Sequence, residues 1–258
     1  MSLPEPGKIY FVRYDEDWIT QGAVLTANSE RTGYEAPNVA TDDPSEPWWA
    51  NSGTATLTAT FSSPGREIGL IGIIMNNADD ARTITIGGVT GVTGVVGERE
   101  ESGYPRDLAI FVDPPQTVMS LTISISGNTN DFAIGRVVAG IRREITGFLD
   151  GMTVSPTRPQ ISDPGVPEYG HDIRYDVSVE QWKIEGRFLM DFADYGAMHE
   201  FNSGALYGFH PQFVVYDDEH FPPVFARVLV GPAVTKEGHM DVPLTLQTVS
   251  RGLEVFGV

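Results

Sequence analysis

The chain has 258 residues, 41% of them hydrophobic, and it contains no cysteine. The lack of cysteine excludes disulfides, thiolate metal sites and thiol catalysis. With 35 acidic and 17 basic residues the net charge is −18, which disfavours binding to nucleic acid or to an anionic membrane surface, because both require a basic face.

The first half of the chain predicts a series of short strands. Residues 54–61 (Thr-Ala-Thr-Leu-Thr-Ala-Thr-Phe) alternate strictly, which is typical of an antiparallel strand with one face on a core and one in water. Residues 120–126 alternate in the same way, and residues 68–75 are apolar on both faces, which predicts a central strand. Further strands are predicted at residues 8–14, 81–87, 108–112 and 132–141, and the glycine-interrupted residues 89–96 predict either a bulged strand or a loop. Strands at this spacing, with turn residues between them, predict a β-sandwich.

The composition changes near Glu144. Residues 153–170 hold four prolines and two glycines, which predicts a linker or an extended arm. Strand patterns at 173–188, 213–216, 224–230 and 242–249 surround one predicted helix at 189–202. The sequence therefore predicts an all-β chain: a β-sandwich at residues 1–143, a linker at 144–171, and an antiparallel β domain with one flanking helix at 172–258.

The strongest candidate for a binding site is the loop that ends in Trp48 and Trp49. Exposed indoles stack on sugar rings, and Asp42 and Asp43 earlier in the loop would accept hydrogen bonds from sugar hydroxyls. In the alternative reading, one tryptophan caps the sandwich core and the other packs under the loop, because indoles are costly to expose. The alternative is the more common arrangement, and we favour it.

The sequence gives only weak evidence for a metal-binding or catalytic site. The acidic segments at 42–46, 76–80 and 217–220 contain oxygen ligands that suit a cation, but solvated turns of this composition are more common, so no metal site is predicted. The sequence lacks a nucleophile motif and a glycine-rich phosphate loop before a helix. We therefore predict no catalytic residue, no cofactor and no enzymatic activity. The N-terminus has neither a basic region nor an apolar run, so no signal peptide is predicted.

Residues 23–141 resemble the galactose-binding-like, discoidin-type jelly roll. The segments that carry this resemblance are 25–30, 34–39, 42–49, 54–61 and 68–77. Residues 132–140 (Phe-Ala-Ile-Gly-Arg-Val-Val-Ala-Gly), followed by a proline-bearing arm, resemble tail proteins of tailed bacteriophages. Residues 172–251 are similar to the ring-forming domain of distal tail proteins. That likeness rests on residues 175–184, 192–202, 213–217 and 225–229.

The resemblance implies a virion protein that is made in the host cytoplasm and forms a ring, sixfold in symmetry, at the end of the tail tube. Its partners would be further copies of itself, the tail tube, and hub or tail-fibre proteins. The order of the domains departs from the most common arrangement, in which the ring-forming domain comes first. The residues alone leave a second hypothesis: a carbohydrate-binding module or lectin that uses Trp48 and Trp49 on a cell-surface glycan. Neither hypothesis involves nucleic-acid binding or membrane insertion.

Overall fold

The computed structural model of this chain is built from antiparallel β-strands and, within the residues it describes, one α-helix, α1 (Tyr195–Gly204). The described residues are 7–44, 46–78, 82–96, 106–157, 160–162, 174–176, 179–204, 209–216, 223–236, 239–248 and 251–252. Short 3-10 segments are Tyr14–Glu16, Ala36–Ala40 and Phe192–Asp194. The strands are β1 (Lys8–Val12), β2 (Val24–Ala27), β3 (Trp48–Trp49), β4 (Ala55–Thr60), β5 (Arg66–Asn76), β6 (Thr85–Gly87), β7 (Val92–Val96), β8 (Arg106–Val118), β9 (Ser120–Ile125), β10 (Ala133–Gly140), β11 (Arg143–Thr146), β12 (Phe148–Thr157), β13 (Gln160–Ser162), β14 (Arg174–Asp176), β15 (Val179–Met190), β16 (Gln212–Tyr216), β17 (Val224–Val230), β18 (Val234–Lys236), β19 (His239–Thr248) and β20 (Arg251–Gly252).

Residues 17–140 form a β-sandwich. One sheet has the order β2-β4-β9-β6 and the other has the order β3-β10-β5-β8-β7. The alternation predicted for β4 is confirmed, because Ala55, Leu57 and Ala59 are buried between the sheets while the threonines between them face outward. The predicted alternation of β9 is confirmed in the same way.

Strand β5 lies at the centre of its sheet, as predicted, between β10 and β8. The side chains on its two faces pack in two different apolar clusters. Ile71 and Ile73 pack in the sandwich core, whereas Leu70 and Ile74 pack on the opposite face of the sheet. A strand that is buried on both faces needs a continuous apolar run rather than alternation.

Strand β1 and the second half of the chain form a sheet that closes on itself, here called the rolled sheet, with the order β11-β1-β16-β17-β19-β15-β12. The two end strands of this order, β11 and β12, are separated only by Gly147, so one bent strand pairs first with β1 and then with β15. A side chain at Gly147 would collide with its neighbours, since a Cβ there would lie 2.7 Å from the carbonyl oxygen of Leu189. A glycine at such a bend is expected where two backbones approach closely.

Helix α1 packs against the apolar interior of the rolled sheet. The rings of Phe201 from α1 and Phe11 from β1 have centroids 4.6 Å apart. The helix was predicted to begin at residue 189, but Leu189 and Met190 belong to β15. They pair with β19, and Met190 lies opposite Met240, so tertiary pairing overrides the helical spacing of the side chains.

Strand β1 belongs to the rolled sheet and not to the sandwich, which differs from the predicted boundary at residue 143. Phe11 pairs with Arg143 in β11, and Tyr10 pairs with Val215 in β16. The sandwich is thus an insertion between β1 and β11. Residues 144–157, predicted as the start of a linker, lie in β11 and β12 except for Gly147. A local sequence pattern can reveal a strand but does not identify a partner so far along the chain.

A third apolar layer joins the sandwich to the rolled sheet. It contains Leu70 and Phe111 from the sandwich, and Tyr10 and Phe213 from the rolled sheet. Tyr10 meets Phe111 edge to face at 5.2 Å. Gly72 makes room for the Phe213 ring, because a Cβ on Gly72 would lie 2.7 Å from that ring. The two parts each have their own core and are joined by this third apolar layer.

A two-stranded arm extends from the rolled sheet. The pairing of β15 with β19 ends at Lys183, whereas the pairing of β15 with β12 extends to Thr157 opposite Gln181. Further along the same two segments, β13 pairs with β14. Within the described residues only the two-residue β20 flanks the arm. Within the described residues the predicted linker at 144–171 is therefore largely paired strand, and its residues 158–159 and 163–171 lie outside the described part of the chain.

Candidate functional site

Trp48 lies inside the sandwich core. As part of β3 it pairs with Ile134 of β10, and its side chain is 0% exposed. The indole meets the ring of Phe132 edge to face at 5.9 Å, and its Nε1 donates to the carbonyl oxygen of Ser29 at 3.1 Å. Neither face of this ring is open to a ligand, so Trp48 packs as a core residue.

Trp49 points to the other side of the strand and is half-buried. The Arg31 guanidinium lies over its ring, 4.5 Å from the centroid, and Tyr34 meets it edge to face at 5.6 Å. Arg31 is held in place by an ion pair with Asp131. One face of the Trp49 ring is therefore covered by a cation of the same chain.

The two aspartates of the candidate site have different roles. Asp42 faces the rolled sheet: its Oδ2 lies 2.8 Å from Nδ1 of His210, and its Oδ1 lies 3.7 Å from Nη1 of Arg136. Asp43 shapes the loop, because its carbonyl oxygen accepts a hydrogen bond from the hydroxyl of Thr41 at 3.0 Å. The loop thus brings Asp42 into a polar network that the sequence analysis did not identify.

Arg136 of β10 is the centre of this network, and its side chain is 1% exposed. Its Nη2 donates to Oδ2 of Asp17 and to the hydroxyl of Thr20, both at 2.8 Å. Its Nη1 donates to the carbonyl oxygen of Thr41, and the guanidinium lies 5.0 Å from the ring centroid of Phe225 in the rolled sheet. The sequence signal that could have revealed this centre, and that the sequence analysis did not use, is a single arginine in an otherwise apolar strand pattern.

Burial dominates the electrostatics of the network. Burial raises the pKa of the Asp17 carboxyl, while the charge of Arg136 and the hydrogen bonds from Thr20 and from backbone N–H groups act in the opposite direction. Burial also raises the pKa of Tyr14, and the negative charge of Asp42 adds to that effect. The Tyr14 ring stacks on the His210 ring with centroids 3.9 Å apart.

The network therefore connects strand β10 to the segment after β1 and to the loop before β3, and it connects that loop to the segment before β16. Its charged groups are engaged with one another. This arrangement supports a structural junction better than it supports acid–base catalysis, which needs a titratable group that can reach a substrate.

The described residues contain no group of three or more histidine, aspartate or glutamate side chains placed to hold a metal ion. Of the acidic segments considered above, residues 45, 79–80 and 217–220 lie outside the described part of the chain. Asn77 joins two loops instead, since its Oδ1 accepts from the N–H of Ala133 at 2.8 Å and its Nδ2 donates to the carbonyl of Asp131 at 2.9 Å. Across the part of the chain that is described, no helix has the length and apolarity needed to cross a bilayer.

Comparison with known proteins assigns no family: no protein-family model matches this chain, and no curated protein matches it by sequence. Function must therefore be argued from the geometry above. That geometry consists of a rigid pair of β units, a polar junction between them, and an arm that leaves the second unit.

Proposed function

We propose that this chain is a structural component of a bacteriophage tail tip. In this role it forms a ring at the distal end of the tail tube and connects the tube to hub or receptor-binding proteins. The observation that carries the proposal is the arm formed by the ends of β12 and β15 with β13 and β14.

A two-stranded ribbon that projects from a domain is poorly stabilised in isolation. Its outer edges carry unpaired backbone N–H and C=O groups, and isolated hairpins are marginally stable in water. A neighbouring copy that covered the arm would supply those hydrogen bonds. Because the arm would contact a different surface of its neighbour, the contact is head to tail. Repetition of such a contact closes a ring when the rotation between neighbours divides a full turn, and it builds an open filament otherwise.

The junction between the two β units also supports this role. A module that binds ligands independently is typically joined by a flexible linker, whereas here the sandwich is anchored at both of its ends and by an apolar layer that includes Leu70 and Phe213. A rigid unit of this kind can hold proteins that attach to the outer side of a ring in fixed positions relative to that ring.

The first test is the size of the purified chain, measured by sedimentation and by electron microscopy. We expect a closed ring. A variant in which residues 158–180 are replaced by Asn-Gly, which joins Thr157 directly to its partner Gln181 through a two-residue turn, should remain folded and lose the ring. A ring that survives this shortening, or a wild-type chain that stays monomeric at all concentrations, would contradict the proposal.

The second test places the protein in the particle. Virions of the phage that encodes the chain should contain it in a fixed number of copies by quantitative mass spectrometry. Antibody labelling should mark the tail end farthest from the head. Absence from purified virions would refute the proposal.

The alternative, a lectin that uses Trp48 and Trp49, has less support from the geometry. Trp48 is buried, and Arg31 covers one face of Trp49. A glycan array read with the wild type and with Trp49→Ala decides between the two functions. Binding that is lost in Trp49→Ala while the oligomer size is unchanged would favour the lectin.

A further inference from the structure

The outward face of the sheet β2-β4-β9-β6 is uncharged and rich in hydroxyl groups. Each strand alternates, so the residues between those of the sandwich core all point to this face. The strand side chains on the face are Val24, Thr26, Thr56, Thr58, Thr60, Thr85, Ser120, Thr122 and Ser124. We call this set the hydroxyl face. Threonine on a solvent-facing sheet is ordinary, but a continuous face without one charged side chain is not expected here.

The lack of charge contrasts with the rest of the chain. Charged residues make up 20% of the sequence, so nine surface positions would carry about two of them. Acidic side chains are prominent on other surfaces, where Asp15, Asp113, Glu144 and Asp191 are all at least half exposed. Two molecules with a net charge of −18 repel each other, and the repulsion is weakest where both present an uncharged surface.

The hydroxyl face has the geometry of a packing surface. Thr58 lies at its centre, directly opposite Thr26 on one neighbouring strand and Thr122 on the other. Neighbouring strands lie about 4.8 Å apart, so the short side chains form a flat and regular layer. Within the described residues, the hydroxyls of Thr26, Thr58 and Thr60 make no hydrogen bond to the protein. Val24, which is 64% exposed, adds an apolar group at the edge.

We infer that the hydroxyl face binds the same face of a second copy of this chain. The pairing stacks two sheets, a standard packing of β-structure, with threonine methyl groups in contact and hydroxyls bonded across the interface. It is a twofold contact in which each residue meets its own counterpart near the axis. It is separate from the ring contact proposed for the arm, and it would join two subunits or two rings back to back.

The size of the face sets the strength of the contact. The four strands have four, six, six and three residues. At about 4.8 Å between strands and about 3.3 Å per residue they cover about 300 Å² on each partner, which is less than half of the roughly 800 Å² per partner of a standard stable interface. A single pair is therefore weak and dimerises only at high concentration. When the face is repeated around a ring, many weak contacts act together and the association becomes strong.

Because the chain lacks cysteine, single-cysteine variants give a direct test. Thr58→Cys should form a disulfide-linked dimer under mild oxidation, since the two copies of residue 58 meet near the twofold axis. Thr235→Cys, at an exposed threonine of β18, is the matched control and should cross-link at least ten times more slowly at the same concentration. Equal rates for the two variants would overturn the inference.

Variants that introduce a charge at Thr58 test whether the partner of the hydroxyl face is a second copy of this chain. Thr58→Asp and Thr58→Lys should both reduce the dimer fraction in sedimentation at least tenfold, whereas the isosteric Thr58→Val should retain it. All three should unfold at the wild-type denaturant midpoint within error. If one sign of charge weakened association and the other strengthened it, the partner would be an oppositely charged surface and the inference would be wrong. Loss of binding to neutral glycans with no change in association would identify a polysaccharide instead.

The variant with the shortened arm separates this inference from the proposed ring. It should lose the ring and still form the dimer that Thr58→Cys traps. If the shortened chain with Thr58→Cys no longer cross-links, the hydroxyl face does not pair by itself. If the wild type forms no ring but Thr58→Cys cross-links, the ring is refuted and the twofold contact stands.

Discussion

The Nδ1 atom of His210 lies 2.8 Å from Oδ2 of Asp42, and this contact ties the loop that carries the two tryptophans to the segment before β16. Both side chains are partly exposed, so the contact stabilises the junction only modestly. A double-mutant cycle with Asp42→Ala and His210→Ala should give a coupling free energy of about 0.5–1 kcal/mol in urea unfolding. Purely additive effects would show that the two residues act independently.

The guanidinium of Arg136 is buried against Asp17, and its removal would leave a buried carboxylate without its cation. We expect Arg136→Met to lower the free energy of unfolding by about 3–5 kcal/mol, as is typical for a broken buried pair. Arg82→Met, at an exposed arginine of the sandwich, is the control and should change stability by less than about 0.5 kcal/mol. An equally small effect at Arg136 would mean that Asp17 is protonated or solvated in the folded chain.

The pH dependence of stability should report on Asp17. Burial raises its pKa in the folded chain above the ordinary value of 3.8, so the folded chain binds this proton more tightly than the unfolded chain does. The contribution of Asp17 is therefore most favourable when the carboxyl is protonated, and it declines as pH rises from about 3.8 through the raised folded pKa. The difference in unfolding free energy between the wild type and Asp17→Asn should shrink over this range. A difference that grew with pH would show that Arg136 outweighs burial.

The two adjacent tryptophans should differ sharply in what they contribute to stability. Trp48→Ala empties a position in the sandwich core and should cost about 3–5 kcal/mol. Trp49→Ala removes a half-buried ring that contacts Arg31 and Tyr34, so its cost should be clearly smaller. Denaturant unfolding of the two single variants measures the contrast. Equal costs would mean that both indoles are core residues.

The bend between β11 and β12 should tolerate no side chain. Gly147→Ala places a methyl group against Phe188 and the Leu189 carbonyl, and we expect a loss of about 1–3 kcal/mol. Gly196→Ala in α1 is the matched control, because a Cβ there meets nothing within 4 Å. It should leave stability unchanged or raise it by up to about 1 kcal/mol, since alanine favours helix. A neutral Gly147→Ala would show that the rolled sheet opens at this point.

Sequence periodicity predicted the strands well where one face meets a core and the other meets water. In β4, successive residues face the sandwich core and the solvent in turn, so the alternation of apolar and polar residues was sufficient to predict the strand. Periodicity also located β1 but could not assign it to the correct sheet, because its partners Arg143 and Val215 are distant in sequence and leave no local trace. It failed at Leu189 for a related reason: helical spacing and strand pairing compete there, and the pairing with β19 prevails.

The candidate site was harder to predict from the sequence than the strands were. Adjacent residues in a strand face opposite sides, so Trp48 and Trp49 had to have different environments, but only the pairing of β3 with β10 determines which one is buried. Arg136 and Asp17 are separated by 119 residues, and nothing local marks two charges as buried partners. The role of Asp42 depends on a histidine that is 168 residues away.

The insertion of the sandwich between β1 and β11 also orders events during synthesis on the ribosome. The sandwich is complete once Gly140 has emerged, whereas Ile9 must wait for Tyr216, 207 residues later. Distant pairings of this kind form slowly, because a long stretch of chain must close before they contribute stability. We therefore expect the sandwich to fold first and to hold β1 beside the nascent chain. The rolled sheet is then completed only when the last strands are released, so a truncated product would carry a finished sandwich and no rolled sheet.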